Sequence, residues 1–306
     1  MILLAAEHFV RAPQWTWYVL LYFFLAGLAG GAYVLATLLR LSGNPYDEPA
    51  ARIGLYISFP AIVLAPLLLT ADLGAISWIR FWHMLINVTP GDTGVSFKYW
   101  SPMSVGAWSL LIFGFFSFVS FLDALLSDRR GAGFVPLGFN RIFMIIGSLL
   151  GLFVASYTGV LLSVSNQPVW SDTWALGGLF LASGLSGAGA AITLFTRNRP
   201  DAAFSLVRLR MADGFFGLLE LALLIAFFVT VAAAGDGNRL VNWIALWVVA
   251  LIGIGASLFG FRRPARMTAG SGSTAVAPVA AEATIISVIA LIAVLAVRAA
   301  VIFSGQ

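Results

Sequence analysis

The sequence contains no cysteine, which excludes disulfides and any thiolate-ligated metal or iron–sulfur centre held within this chain. Charge is also scarce. Charged residues make up 10% of the chain, where a soluble domain carries about 25%. A chain that is 60% hydrophobic cannot cover itself with a polar surface, so lipid must be its main solvent. There are only two histidines, His8 and His83, and neither lies deep in an apolar run. Membrane b-type cytochromes hold haem between axial histidines inside the bundle, so no haem is expected, and no metal in this chain. A basic leader segment and a small-residue cleavage site are also missing: Glu7 and His8 precede the first apolar run, which is therefore expected to be retained.

What is present is long apolar sequence. Eight stretches are long enough to cross a hydrocarbon core, which needs about 20 residues. They lie near 15–41, 53–79, 102–126, 142–164, 173–196, 213–234, 241–261 and 284–303. Trp15, Trp17, Trp78, Trp100 and Trp243 fall at their ends, where interfacial belts place tryptophan. Pro60 and Pro66 predict a kink in the second stretch. The net charge of +4 sits in short loops, so it reads as a topology signal rather than a nucleic-acid footprint. Twelve of the seventeen basic residues fall in the odd-numbered loops; Arg11, Arg80, Lys98, Arg239 and Arg298 are assigned to the even loops and termini. The positive-inside rule then puts the odd loops in the cytoplasm and both termini outside. The outside loop 80–101 is aromatic with Gly and Pro turn signals, and is expected to be ordered against the helices or a partner. Residues 264–283 are low in complexity and read as a flexible cytoplasmic linker.

The fold class is therefore an all-α integral membrane protein of eight transmembrane helices, a single membrane domain over 1–306. AGLAGGA (Ala26 to Ala32) in the first stretch and SGLSGAG (Ser183 to Gly189) in the fifth suggest an internal duplication. On that reading 1–172 and 173–306 are two four-helix halves related by an axis along the membrane normal. The plainer reading of each motif is a small-residue packing face.

Ionisable groups inside a membrane are costly, so each is a functional candidate. Asp72 falls near the outer end of the second stretch, Asp123 near the inner end of the third, and Asp213 and Glu220 on one face of the sixth. Structural roles compete: an end contact for Asp72, an interfacial acid near Arg129 and Arg130 for Asp123, a helix N-cap for Asp213, and a buried hydrogen bond for Glu220. Tyr157 and Tyr22 lie at similar depth from the outer side, and a buried tyrosine by itself usually finds a structural acceptor. An exposed histidine such as His83 is more often incidental than catalytic.

Five segments together resemble the NrfD/PsrC family of oxidoreductase membrane subunits. They are Leu21 to Leu41, Asp72 to His83 (DLGAISWIRFWH), Ser101 to Phe113, Ser156 to Trp170 (SYTGVLLSVSNQPVW) and Leu179 to Ala191. The resemblance implies a haem-free quinone site near the outer face, in the half 1–172, taking menaquinone or ubiquinone. It implies that a ferredoxin-like iron–sulfur subunit of the four-cluster type docks on that face. A catalytic subunit, of molybdopterin type, would lie beyond it, and the whole would sit in a bacterial cytoplasmic membrane. Tyr157 and Asp72 match the family's quinone-contacting tyrosine and acid. Tyr22 stands where some members carry histidine.

Quinol oxidation releases two electrons and two protons, so the site needs hydrogen bonds at both ring oxygens and a group that accepts protons. Tyr157 with Tyr22 or His83 would hold the ring, and Asp72 would take the proton. Asp123, Asp213 and Glu220 would form a proton path from the cytoplasm. A secondary transporter or proton channel, or a passive anchor, fits the hydropathy equally well.

Overall fold

The structure is a computed structural model that describes residue 11 and residues 13–73, 82–262 and 276–306, with side chains omitted at 137, 200, 203–204, 260–262 and 276–280. The long helices are α1 (Trp17–Leu41), α2 (Glu48–Asp72), α3 (Pro102–Arg130), α4 (Leu137–Ser163), α5 (Leu176–Thr196) and α6 (Ala203–Ala234). A short α7 (Gly237–Val241) leads to α8 (Ile244–Arg262) and α9 (Val276–Ser304). Seven of these are long and apolar enough to cross a membrane, so the protein is a multi-pass membrane protein. The expected stretch 241–261 corresponds to α8, whose apolar part Ile244–Phe259 is shorter than the others.

Local chemistry sets the helix ends. Thr16 caps α1 by accepting from the Tyr18 amide. Ser101 caps α3 ahead of Pro102, and α3 stops at Gly131 (φ +76°), a left-handed position that suits glycine. α2 runs unbroken through Pro60 and Pro66. The apolar pattern starts the sixth span at 213, but α6 begins ten residues earlier, so Asp213 lies inside the helix and is not an N-cap. The described part of the expected linker, 276–283, is the helical start of α9; the rest of it, with His8, Trp78 and Arg80, lies outside the described residues.

α1 and α5 form the centre. In each, 78% of the most apolar window is buried, against 33% in α2 and α3 and 28% in α6, whose outer faces are left for lipid. Lipid tails are as apolar as leucine, so close backbone approach rather than hydrophobic burial must hold these helices together. The glycines provide it. A Cβ on Gly31 would sit 2.5 Å from the Gly184 carbonyl oxygen, and one on Gly30 would sit 2.3 Å from that of Gly151. Around this centre, α1 packs on α2 and α4, and α5 packs on α6 and α9. The outer ring closes through α2–α3 and α3–α4 on one side and α6–α8 and α8–α9 on the other.

Two tethers join distant parts of the sequence. The Gln306 side chain accepts from the Trp15 amide at 2.9 Å, which brings the segment after α9 to the segment before α1. Trp170 stacks on Trp15 at 4.9 Å and donates its indole N–H to the Val301 carbonyl at 2.7 Å. At the opposite end, fully buried Asp47 accepts from Ser42 and Ser205 and pairs with Arg208 of α6.

The 80–101 loop contains the fold's one departure from all-α among the described residues. Strands β1 (Ile86–Thr89) and β2 (Asp92–Val95) pair antiparallel, with Ile86 opposite Val95 and Thr89 opposite Asp92. The turn is Pro90-Gly91, with Gly91 at φ +89°. The loop is ordered against α3 as expected: the Trp108 indole donates to the Ser96 carbonyl at 2.9 Å, and the Lys98 amide donates to Ser104 Oγ at 3.0 Å.

Candidate functional site

Tyr22 lies near the N-terminal end of α1 and Tyr157 near the C-terminal end of α4; they are 3% and 7% exposed and lie within electrostatic range of each other. Tyr157 stacks on Phe153 at 5.7 Å and donates its hydroxyl to the Pro102 carbonyl. Its ring lies over Gly106, where an added Cβ would meet the hydroxyl at 2.4 Å. The Tyr22 ring packs against Phe23, with ring centroids 5.2 Å apart. Asp72 closes α2 on the same side, half-buried, and accepts from Thr16 Oγ1 at 2.8 Å. His83 packs edge-on against Trp82 at 4.1 Å in the turn before β1. The structure thus groups Tyr22 with Tyr157 and places Asp72 beside the start of α1. Residues 74–81, which lead from Asp72 toward His83, lie outside the described residues.

The other three candidate acids, Asp123, Asp213 and Glu220, divide between two places. Asp123 is 4% exposed and holds the α3–α4 loop: it accepts from the Val135 amide at 3.0 Å and from Asn140 at 3.1 Å. It lines a cavity of about 320 Å³ at the end of the bundle where α1 passes into α2 and α3 into α4, with Arg40, Glu48, Arg52 and Arg141. A charged lining makes this a hydrated space. Asp213 and Glu220 lie together on α6, in the other set of helices. Asp213 accepts from Ser186 of α5 at 2.7 Å and borders a cavity of about 20 Å³ with Arg210 and Ser257. That volume holds roughly one water. Glu220 is 2% exposed, and its Oε1 has no hydrogen-bond partner among the described residues.

The family described as "Polysulphide reductase, NrfD" matches residues 6–306. The chain belongs to the NrfD family. Protein NrfD of Escherichia coli (strain K12) is 28% identical over 264 residues, 76% of each sequence. The C subunit of polysulfide reductase from Wolinella succinogenes is 33% identical over 187 residues, 56% of this sequence and 55% of that one.

Within this NrfD-family protein, one charged residue takes a place that sequence reading does not give it. The charge pattern assigns Arg298 to the outer side, but it is fully buried in α9 and is no topology marker. Its guanidinium donates to the carbonyls of Phe23 (3.3 Å), Phe180 (3.0 Å) and Val294 (3.3 Å) and to Ser183 Oγ (2.7 Å), and lies 5.1 Å from the Phe180 ring centroid. A single arginine near the end of an apolar run reads as snorkelling toward the headgroups. Here Gly27 leaves it room to turn inward. Glu220 and Asp213 lie within its electrostatic reach or one another's.

Proposed function

We propose that this protein is the quinone-binding membrane subunit of a multi-subunit oxidoreductase, working at its outer face. The observation that carries the reading is two buried tyrosines, Tyr22 and Tyr157, within electrostatic range of each other at one end of an NrfD-family bundle. Two tyrosine donors are what the two ring oxygens of a quinone require, and Phe23 beside Tyr22 and Phe153 beside Tyr157 add aromatic faces that suit its ring. When bound, the quinone supplies two-electron, two-proton redox chemistry. Tyr157 turns its hydroxyl from the Pro102 carbonyl to the ring, Tyr22 donates from α1, and Asp72 passes protons at the outer surface with Thr16 holding its carboxylate in place.

One relative bears the name of a polysulfide reductase subunit, which supports a complex with further subunits. A ferredoxin-like iron–sulfur subunit would dock over the hairpin face and a molybdopterin subunit would lie beyond it, in a bacterial cytoplasmic membrane. Eight crossings, with both termini outside, agree with the Trp15–Gln306 contact, since seven crossings would leave those residues on opposite sides. The repeated neighbour pattern, α1 with α2 and α4 and α5 with α6 and α9, supports two four-helix halves about an axis along the membrane normal. Asp213 and Glu220 carry a proton-coupling role in the second half. Asp123, pinned to its loop, lines the hydrated inner mouth of the first.

The complex isolated from native membranes should carry extractable menaquinone or ubiquinone and an iron–sulfur protein in fixed ratio. Recovery of the protein with neither contradicts the reading. A proton channel or secondary transporter is favoured by one observation, the unpartnered Glu220 Oε1. That alternative predicts ion flux through the isolated protein without any electron donor.

A further inference from the structure

Arg298 joins three helices by their backbones, and one of the carbonyls it holds belongs to Phe23, the residue after Tyr22. Helix carbonyls at Phe23 and Phe180 are already spent within their own helices, so a guanidinium that donates to them draws on their second lone pairs. Such bonds are strong in a low-dielectric interior. The same guanidinium lies between α1 and α5 so closely that a Cβ on Gly27 would be 2.4 Å from its Nη2. The position of Arg298 therefore sets the local position of the α1 segment that carries Tyr22.

Glu220 faces this guanidinium from α6. The two interact electrostatically but make no ion pair within 4.0 Å among the described residues, and Glu220 Oε1 is left without a partner. A buried arginine and a buried carboxylate that do not touch are in an unusual state. An ionised carboxylate would gain several kcal/mol by closing on the cation, on the order of the cost of breaking a buried pair. The arrangement seen, with Arg298 on the carbonyls and Glu220 apart, is the one a protonated Glu220 favours. Among the described residues the other charged group acting on Glu220 is Asp213 of its own helix; from α5, Ser183 bonds Arg298 and Ser186 bonds Asp213, and Arg210 and Ser257 line the water-sized cavity at Asp213. That cavity has room for about one water beside Asp213, two helical turns from Glu220.

We propose that Arg298 is a positioning residue for the outer site, shared between two partners: the Phe23 and Phe180 carbonyls when Glu220 is protonated, and the Glu220 carboxylate when it is ionised. The proton on Glu220 and the set of Tyr22 are then linked through one guanidinium. Such linkage is reciprocal: quinone binding that prefers the carbonyl-bound arrangement also holds the proton on Glu220. No group is transferred and no bond forms beyond hydrogen bonds. The effect on quinone chemistry rests on the functional reading above; the exchange of Arg298 between partners does not.

Two measurements on the purified full-length protein separate these. The first uses no quinone. Thermal unfolding of wild type, Glu220→Gln, Arg298→Gln and the double variant is compared at pH 6 and pH 9. The exchange predicts that Glu220→Gln shifts the unfolding temperature at pH 9 and not at pH 6, and that the shift disappears in the Arg298→Gln background, where no cation is left for the carboxylate. Equal shifts at both pH values, or additive effects of the two substitutions, overturn the proposal. The second measures the dissociation constant of decylubiquinol by quenching of tryptophan fluorescence over the same pH range. Wild type should bind at least fivefold more weakly at pH 9, the low end of a typical coupling. Glu220→Gln should hold the pH 6 value throughout, and Tyr157→Phe should weaken binding at every pH while keeping the slope. A coupling in the first measurement with a flat binding curve in wild type overturns the link to the outer site. Absence of decylubiquinol binding altogether overturns the quinone reading, and with it that link, and leaves the exchange to stand on the first measurement.

Discussion

Replacing Tyr157 by phenylalanine is expected to lower quinol-linked turnover by roughly a hundredfold, the lower range for loss of a positioned proton-transfer or hydrogen-bonding group. The substitution keeps the ring that stacks on Phe153 and covers Gly106 and removes only the hydroxyl. Its structural cost is one hydrogen bond to the Pro102 carbonyl, worth about 1 kcal/mol. That is smaller than the ~2.7 kcal/mol in transition-state energy that a hundredfold represents. The protein should therefore fold and assemble while turnover collapses, and assays of the isolated complex with a soluble quinol would show it. Asp72→Asn should act in the same direction, since Thr16 retains an acceptor while the proton-accepting group is lost. Normal turnover in both variants removes these residues from the site.

The second large effect is on stability. Arg298→Ala is expected to destabilise the protein by about 4 kcal/mol, the range for removing one member of a buried polar array. Four hydrogen bonds joining α1, α5 and α9 disappear, the Phe180 ring loses its cation, and Glu220 loses the one positive charge acting on it. Closing the space is difficult, because the surrounding backbone is already in contact at Gly27 and Gly184. Thermal unfolding in detergent checks this. Arg298→Lys should be milder, since an ammonium keeps the charge and up to three donors but not the guanidinium's fork. A change in unfolding temperature within the scatter of surface substitutions would show that the array does not hold the helices together.

Why some of this is legible in the sequence and some is not follows from the physics of each part. Spanning helices announce themselves because apolar runs of this length have no other stable setting than lipid, and the glycine motifs of α1 and α5 do lie where the two helices meet. The start of α6 is hidden because Arg208 and Arg210 look like loop residues. In the fold they extend the helix beyond the apolar core, where Arg208 finds Asp47 from the α1–α2 connection. Asp47 itself has no local signal: its burial comes from Ser42 and Ser205, the latter more than 150 residues away. The 80–101 hairpin is masked by a general turn signal, although Pro90-Gly91 between Val88-Thr89 and Asp92-Thr93 is its local cue. At the candidate site the residue types are readable, and Tyr22 and Tyr157 lie within electrostatic range of each other. The bond from the Tyr157 hydroxyl to the Pro102 carbonyl is a tertiary fact. Arg298 marks the limit most clearly, because one charge in an apolar helix reads as interfacial until Gly27 is seen to make room for it.

The central claim is that a quinone ring lies between Tyr22 and Tyr157, and photoaffinity labelling with an azido-quinone tests it most directly. The label should appear in the peptides around Tyr22 and Tyr157, compete with excess unmodified quinol, and fall sharply in Tyr157→Phe. Labelling confined to the second half of the sequence, or undiminished by competitor, would contradict it.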